Sequence, residues 1–270
     1  MTYPHLIPAE TPLEEITYCA IDLETTGTSF RHDGIVELAI LRYKKGEKLI
    51  TFSQLLNPET KISTYAQNIH GITEEMVKDA PTFQEIADTV YDLTEGCVFV
   101  GHSLTSLDLS FLNRELRKAG KLPRFNYTID TYHLGRYFFR VKRKRGLREL
   151  AKAMGVRVEP GHRALPDAQM TLKIWIKALD WFTREGYKTL QDLMIKRLVD
   201  SGYTRRGLEV LRVVREHRFL RIVYESPVAG KTERVVEPLA VRGNRLDAYC
   251  HLREDFRSFY LQRIVSMQGL

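Results

Sequence analysis

The run Tyr18-Cys19-Ala20-Ile21-Asp22-Leu23-Glu24-Thr25-Thr26-Gly27 sets two carboxylates two residues apart at the end of an apolar stretch. On a strand, side chains at i and i+2 share a face, so Asp22 and Glu24 point the same way. Two anions this close repel one another and lose hydration, and both stay ionised only if a cation or a strong donor stands between them. A divalent metal is the simplest such cation; an exposed edge strand carrying two solvated acids is the competing reading of the dipeptide alone. Two more acids stand where strands or loops feed helices. Asp108 follows the apolar run that ends at Gly101, and Asp167 lies five residues after His162. Four carboxylates converging from distant parts of the chain need cations, and their hard oxygen ligands suit two magnesium or manganese ions. Two metals about 3.5–4 Å apart can clamp a phosphodiester. His162, with a side chain that titrates near neutrality, is placed to act as general base on the attacking water.

These side chains need a scaffold, and the hydrophobic periodicity supplies one. Residues 16–23, 34–43 and 48–56 read as three consecutive antiparallel strands, with Lys44-Lys45-Gly46-Glu47 turning the second into the third. Ser63 and Thr73 open short helices, Thr82 opens an amphipathic helix through Leu93, and residues 97–101 form a short apolar strand of the kind buried in a parallel sheet. A helix over 107–119 carries Asp108 near its start, a strand follows at 126–131, and helices are expected at 134–139, after Gly146, and from Ala168 to about Thr183. Strands first, then strands alternating with helices, predict a three-layer α/β sandwich. Beyond it, 187–216 has two helical patterns split at Ser201-Gly202. From Phe219 the pattern becomes four short β-rich runs, 219–224, 233–241, 245–250 and 258–264, which suggest a small barrel or sandwich. The expected division is a leader over 1–15, a first domain over 16–185, a helical linker over 186–216 and a β domain over 217–270.

The chain has 270 residues, 43% of them hydrophobic, enough for a proper core in one large or two ordinary domains. A net charge of +7 favours a polyanionic partner, nucleic acid ahead of an anionic membrane surface. Cys19, Cys97 and Cys250 are far apart in apolar stretches, which suggests neither a disulfide framework nor a zinc cluster and fits a reduced compartment. No apolar run is long enough to cross a bilayer and no targeting pattern opens the chain, so a cytoplasmic protein is expected.

At the acid-bearing segments the sequence resembles DnaQ-like 3′–5′ exonucleases of the DEDDh type. The resemblance rests on Asp22-Leu23-Glu24-Thr25-Thr26-Gly27, Asn57-Pro58 with Ile69-His70-Gly71-Ile72-Thr73, Gly101-His102 with Asp108 and Phe111-Leu112, and His162-Arg163-Ala164-Leu165 with Asp167-Ala168, in that order. It implies a ribonuclease H-like fold with a mixed sheet, two divalent ions held by Asp22, Glu24, Asp108 and Asp167, and general-base work by His162. It also implies that Thr25 and His70 line the pocket for the 3′-terminal nucleotide. Two departures stand out: Ser103 follows His102 where the family has asparagine, and Asp108 comes six residues after that histidine rather than five. The C-terminal part resembles WYL-type domains through 219–226, 232–239 and 248–253, followed by Arg257, Phe259 and Arg263-Ile264. Asn244-Arg245-Leu246 stands at the namesake tripeptide, of which only the leucine is kept. This second resemblance implies a small Sm/SH3-type barrel that senses a ligand or nucleic acid. Arg253, Arg257 and Arg263 are its candidate contacts, with structural ion pairing as the competing role.

The most basic run, Arg140-Val141-Lys142-Arg143-Lys144-Arg145, is a candidate phosphate track through Lys142, Arg143, Lys144 and Arg145; a solvated loop is the bland reading. The expected activity is removal of nucleotides from the 3′ end of a single strand, DNA favoured over RNA, releasing 5′-monophosphates. The alternatives are an RNA-trimming exoribonuclease and a regulator whose nuclease fold is a passive platform.

Overall fold

The structure is a computed structural model that describes residues 7–45, 47, 49–104, 107–139, 146–200 and 203–270. Its first sheet has five strands in the order β3-β2-β1-β4-β5. These are β1 (Tyr18–Thr25), β2 (Ile35–Tyr43), β3 (Ile50–Leu55), β4 (Val98–Gly101) and β5 (Thr128–Asp130). Strand β1 is the centre: it runs antiparallel to β2 and parallel to β4, and β4 runs parallel to β5, so the sheet is mixed. The turn residues Gly46 and Lys48 lie outside the described residues.

Period-two alternation sends the side chains of β1 into two different cores. Tyr18 and Ala20 pack with Ala39, Val98, Val100 and Ile129 beneath the long helix α7 (Ala164–Arg184), whose Ala168, Leu172 and Trp175 fill that layer. Cys19, Ile21 and Leu23 pack with Leu38, Ile40 and Phe99 against α3 (Phe83–Leu93) and α4 (Asp108–Lys118) on the opposite face. The three-layer α/β expectation holds in this arrangement. Between these come α1 (Thr64–His70) and α2 (Glu74–Val77), capped by the side chains of Ser63 and Thr73, then α5 (Thr131–Phe139) and α6 (Leu147–Ala153). The expected start of α7 at Ala168 is corrected by one turn. The helix begins at Ala164 because a carboxylate from another strand, Glu37 in β2, accepts the Ala164 amide at 2.9 Å. The residues just before β1 are tied down, with Leu13 buried and its amide bonded to the Lys188 carbonyl at 2.9 Å.

Helices α8 (Leu190–Ile195) and α9 (Arg205–Glu216) lead to the second sheet, of order β10-β6-β7-β8-β9 and antiparallel throughout. Its strands are β6 (Leu220–Ser226), β7 (Gly230–Arg242), β8 (Arg245–Cys250), β9 (Asp255–Tyr260) and β10 (Ile264–Gly269). The expected single strand over 258–264 is corrected: a 3-10 turn, Leu261–Arg263, splits it, giving five strands instead of four. No pairing among the described residues joins β9 to β10, so the sheet is open where a closed barrel was expected.

Helix α4 joins the two halves. Its mean hydropathy is low, yet Ser110, Asn113 and Arg114 are buried. Ser110 donates to Asp247 at 2.7 Å, and the Asn113 side-chain amide donates to the carbonyls of Leu239 at 2.5 Å and Arg124 at 2.9 Å. Arg117 pairs with Glu237 and lies over the Tyr249 ring. Arg215 of α9 turns one guanidinium nitrogen, Nη2, onto both oxygens of buried Asp200 at 2.9 and 2.8 Å.

Candidate active site

Asp22 and Glu24 fall on the face of β1 that looks toward α7, the face of Tyr18 and Ala20. The first turn of α7 carries Asp167 to the same place. One carboxylate oxygen from each of Asp22, Glu24 and Asp167 lies within 4.8 Å of the others. A register irregularity between Glu24 and Thr25 bends the strand end at this point.

Asp108 reaches the region from the opposite layer, at the start of α4, and stands outside that group of three. It is still close enough that, after burial, its charge does most to raise the Asp22 carboxyl, ahead of Glu24, Asp167 and Glu37. Burial first, then Asp167 and Glu37, pushes Glu24 up to about 8. Burial, against its own helix-start amide and with Asp130 beside it, pushes Asp108 up to about 7. Acids buried and crowded in this way favour a divalent cation as their counter-charge.

His162 is more than half exposed, and its Nδ1 is 3.8 Å from Asp167 Oδ2. With Asp22, His102, Arg148, Glu149 and Asp167 it lines a cavity of about 450 Å³. His102 places Nδ1 at 3.0 Å from Thr131 Oγ, and that hydroxyl gives its one hydrogen to the Gly101 carbonyl, so His102 Nδ1 is the donor. Ser103, at a positive φ of 63°, turns its amide onto Asp130 Oδ1 at 2.8 Å. The next residues, Thr105 and Ser106, lie outside the described residues, as do Lys142, Arg143, Lys144 and Arg145.

His70 is buried, and its Nδ1 accepts the Ile72 amide at 3.0 Å. Its proton therefore sits on Nε2, a buried nitrogen with no regular hydrogen-bond partner among the described residues. Burial lowers the imidazole pKa, with the Thr25 backbone opposing. Thr25 donates its own hydroxyl to the Gly27 carbonyl at 2.7 Å.

The other candidates are not gathered here. Arg253 is exposed in the β8–β9 turn, Arg257 pairs with Asp255 at 3.5 Å, and Arg263 sits in the 3-10 turn against the Tyr260 ring. The 3-10 turn Leu261–Arg263 takes Arg263 off the strand that carries Arg257.

The chain matches the family model described as Exonuclease (RNase_T) over residues 19–175. It belongs to the exonuclease family. Residues 208–268 match the WYL domain model, so the exonuclease carries a WYL domain after its catalytic fold. It is 32% identical over 219 residues to the PolC-type DNA polymerase III of Staphylococcus haemolyticus, covering 81% of this chain and 15% of that protein. It is 29% identical over 243 residues to the Staphylococcus aureus counterpart, covering 90% of this chain and 17% of that one. The exonuclease thus spans about a sixth of the length of these curated relatives. Among solved structures, E. coli Exonuclease I in complex with a dA16 oligonucleotide aligns with a TM-score of 0.58 at 16% identity, over 87% of this chain and 55% of that one. That likeness shows the fold. The exonuclease fold implies dependence on divalent metal, and no helix among the described residues is long and apolar enough to cross a membrane.

Three residues of the site escaped the sequence reading. Glu37 lies directly opposite Glu24 in the ladder, where two acids repel. Arg163 answers with a bidentate pair to Glu37 at 3.0 and 2.7 Å, which fixes the His162 to Asp167 segment onto the sheet. Arg148 donates to Asp167 Oδ1 at 3.0 Å from the start of α6. A guanidinium on this carboxylate opposes a cation that would use the same oxygens. Arg148→Met is expected to tighten Mn²⁺ binding about fivefold, the scale of a partly exposed ion pair, in calorimetric titration without nucleotide. Unchanged affinity would show that Arg148 and the cation do not compete.

Proposed function

We propose that this exonuclease removes nucleotides one at a time from the 3′ end of single-stranded DNA, releasing nucleoside 5′-monophosphates. The observation that carries the reading is the convergence of Asp22, Glu24 and Asp167 within 4.8 Å, their field extended by Asp108. The donor set is all carboxylate oxygen, which fits Mg²⁺ or Mn²⁺, and Asp22, Glu24 and Asp167, with Asp108 beside them, would hold the ions. Bound there, the ions supply positive charge against the scissile phosphodiester and acidify water.

The protein's own groups do the rest. His162, exposed at the cavity mouth beside Asp167, takes the proton from the attacking water. Nε2–H of His70, buried and with no regular hydrogen bond among the described residues, lies beside the Thr25 backbone and is a donor available to an acceptor on the terminal nucleotide. A 2′-hydroxyl here would distinguish RNA from DNA. We place the functional boundary between the exonuclease unit, 16–185, and the WYL unit, 217–270, with 186–216 as connector; Arg253, Arg257 and Arg263 are the WYL unit's nucleic-acid contacts.

A 5′-labelled single strand incubated with Mg²⁺ tests the reading. Stepwise shortening from the 3′ end, abolished by chelator, is expected; shortening that survives chelator would overturn it. For the basic run, Lys142, Arg143 and Lys144 replaced together by alanine should lower the slope of log K against log salt by about 2 for three single-strand phosphates. An unchanged slope in equilibrium binding would make the run a solvated loop.

A further inference from the structure

A second cleft, about 510 Å³ in volume, opens between the β1–β2 loop of the exonuclease fold and the C-terminal sheet. Thr28 to His32 form one wall, and Arg242, Arg245, Ser258 and Tyr260 form the other. No carboxylate among the described residues lines it.

The charges of the lining residues are not equivalent. Arg242 is spent on Asp247, which is fully buried and also accepts from Ser110 and Ser258. That network fixes the floor of the cleft and leaves it neutral. Arg31 is exposed and makes no ion pair or hydrogen bond among the described residues. Arg245 is exposed too, and its guanidinium makes no ion pair among the described residues, donating to the Tyr260 hydroxyl at 2.8 Å and lying 4.7 Å from that ring's centre. Two uncompensated guanidinium groups thus face one another across the cleft, with hydroxyls and an aromatic ring between.

The exonuclease wall is held rigid. Asp33 accepts the Ser29 amide at 2.7 Å and the Thr26 hydroxyl at 3.3 Å, and buried Arg114 donates to the carbonyls of Phe30 and Asp33. Gly27 is required here, because a Cβ would collide with the Asp33 carboxylate. A pinned loop presents Arg31 without an ordering cost on binding. The loop also starts at the acid cluster: Glu24 and Thr28 are four residues apart, so at most about 14 Å of extended backbone separates them.

We propose that this interdomain cleft is a phosphate subsite for the stretch of single strand upstream of the 3′ end, with Arg31 and Arg245 each taking a backbone phosphate and Tyr260 giving an aromatic surface for sugar or base. It rests on the reading of Asp22, Glu24 and Asp167 as the site of the 3′ end. The WYL unit then contributes to substrate grip through its β7–β8 turn, a surface distinct from Arg253 and Arg257.

The test is fluorescence anisotropy of a 5′-labelled dT12 on the full chain in chelator, across a salt series, with Arg31→Ala/Arg245→Ala and, as control, Lys231→Ala, an exposed cation away from the cleft. The double variant is expected to bind about tenfold more weakly and to lose about 1.4 from the salt slope, two single-strand phosphates' worth. With Mg²⁺, its kcat/KM on dT12 should fall by the same factor while hydrolysis of a dinucleotide stays at the wild-type rate. Unchanged affinity and slope would overturn the proposal. So would a loss confined to free dTMP, which would mark a mononucleotide site instead of a strand subsite. Wild-type chain that grips dT12 through these arginines yet never shortens it would refute the active-site reading and leave the cleft standing.

Discussion

Asp22→Asn is expected to lower turnover by on the order of 10³-fold while making the chelated protein more stable above neutral pH. The first effect follows from Asp22 standing among all the other acids, so its loss removes the charge most suited to share cations. The second follows from linkage. In the folded, chelated state Asp22 is held well above the ordinary carboxylate range, and Glu24 is pushed up to about 8. Between the ordinary carboxyl range and those raised values the folded chain binds more protons than the unfolded one. Stability is therefore complete below about pH 4 and falls as pH rises toward 8. Asparagine cannot ionise, so the variant loses one group's share of that decline and relieves Glu24 of a neighbouring charge. Excess Mn²⁺ should reverse the order, since wild type gains about 2.7 kcal/mol at a hundredfold excess over Kd and the variant gains less. Thermal melts at pH 5 and pH 8, with chelator and with Mn²⁺, read all of this. A variant with wild-type turnover, or with the same pH slope as wild type, would remove the basis for the cluster.

The acids that make the cluster were legible in the sequence because each sits at a punctuation mark. Asp22 and Glu24 end an apolar run and Asp167 follows a polar loop, while Asp108, which opens a helix, stands outside the group of three. Strand parity put the first two on one face, and the family resemblance brought Asp167 to them. What holds the site was not legible. Glu37 reads as one polar interruption in the apolar run from Ile35 to Leu41; the usable signal was that an acid flanked on both sides by buried apolar residues needs a partner. Arg148 reads as the solvent face of a short helix, and nothing local says that it turns toward Asp167. The polar face of α4 likewise looked like surface. Its burial depends on β7 and β8, more than a hundred residues away in sequence, and local periodicity carries no information about that partner. The C-terminal strand was misjudged because Leu261 to Arg263, set between Phe259-Tyr260 and Ile264-Val265, carries no glycine or proline to mark the 3-10 turn that the backbone makes there.

The Glu37–Arg163 pair supplies the other large effect, and its two ends should respond unequally. The Glu37 side chain is 5% exposed and the Arg163 side chain 39%. Removing the arginine strands a buried anion beside Glu24. Removing the glutamate leaves a guanidinium that water can rehydrate. Arg163→Leu is accordingly expected to cost about 3 kcal/mol in denaturant unfolding, against about 1 kcal/mol for Glu37→Gln, whose side-chain carbonyl still accepts the Ala164 amide. Both should lower activity and Mn²⁺ affinity by about 10–100-fold, because each loosens the segment that carries His162 and Asp167 without touching a reacting atom. Equal stability losses would mean that Glu37 is rehydrated as easily as Arg163. The double variant Glu37→Leu/Arg163→Leu separates stability from function. With both charges gone the fold should recover much of the loss, yet activity should stay low, since the first turn of α7 then has no acceptor drawing it against β2 and Asp167 no longer has a fixed approach to Asp22 and Glu24.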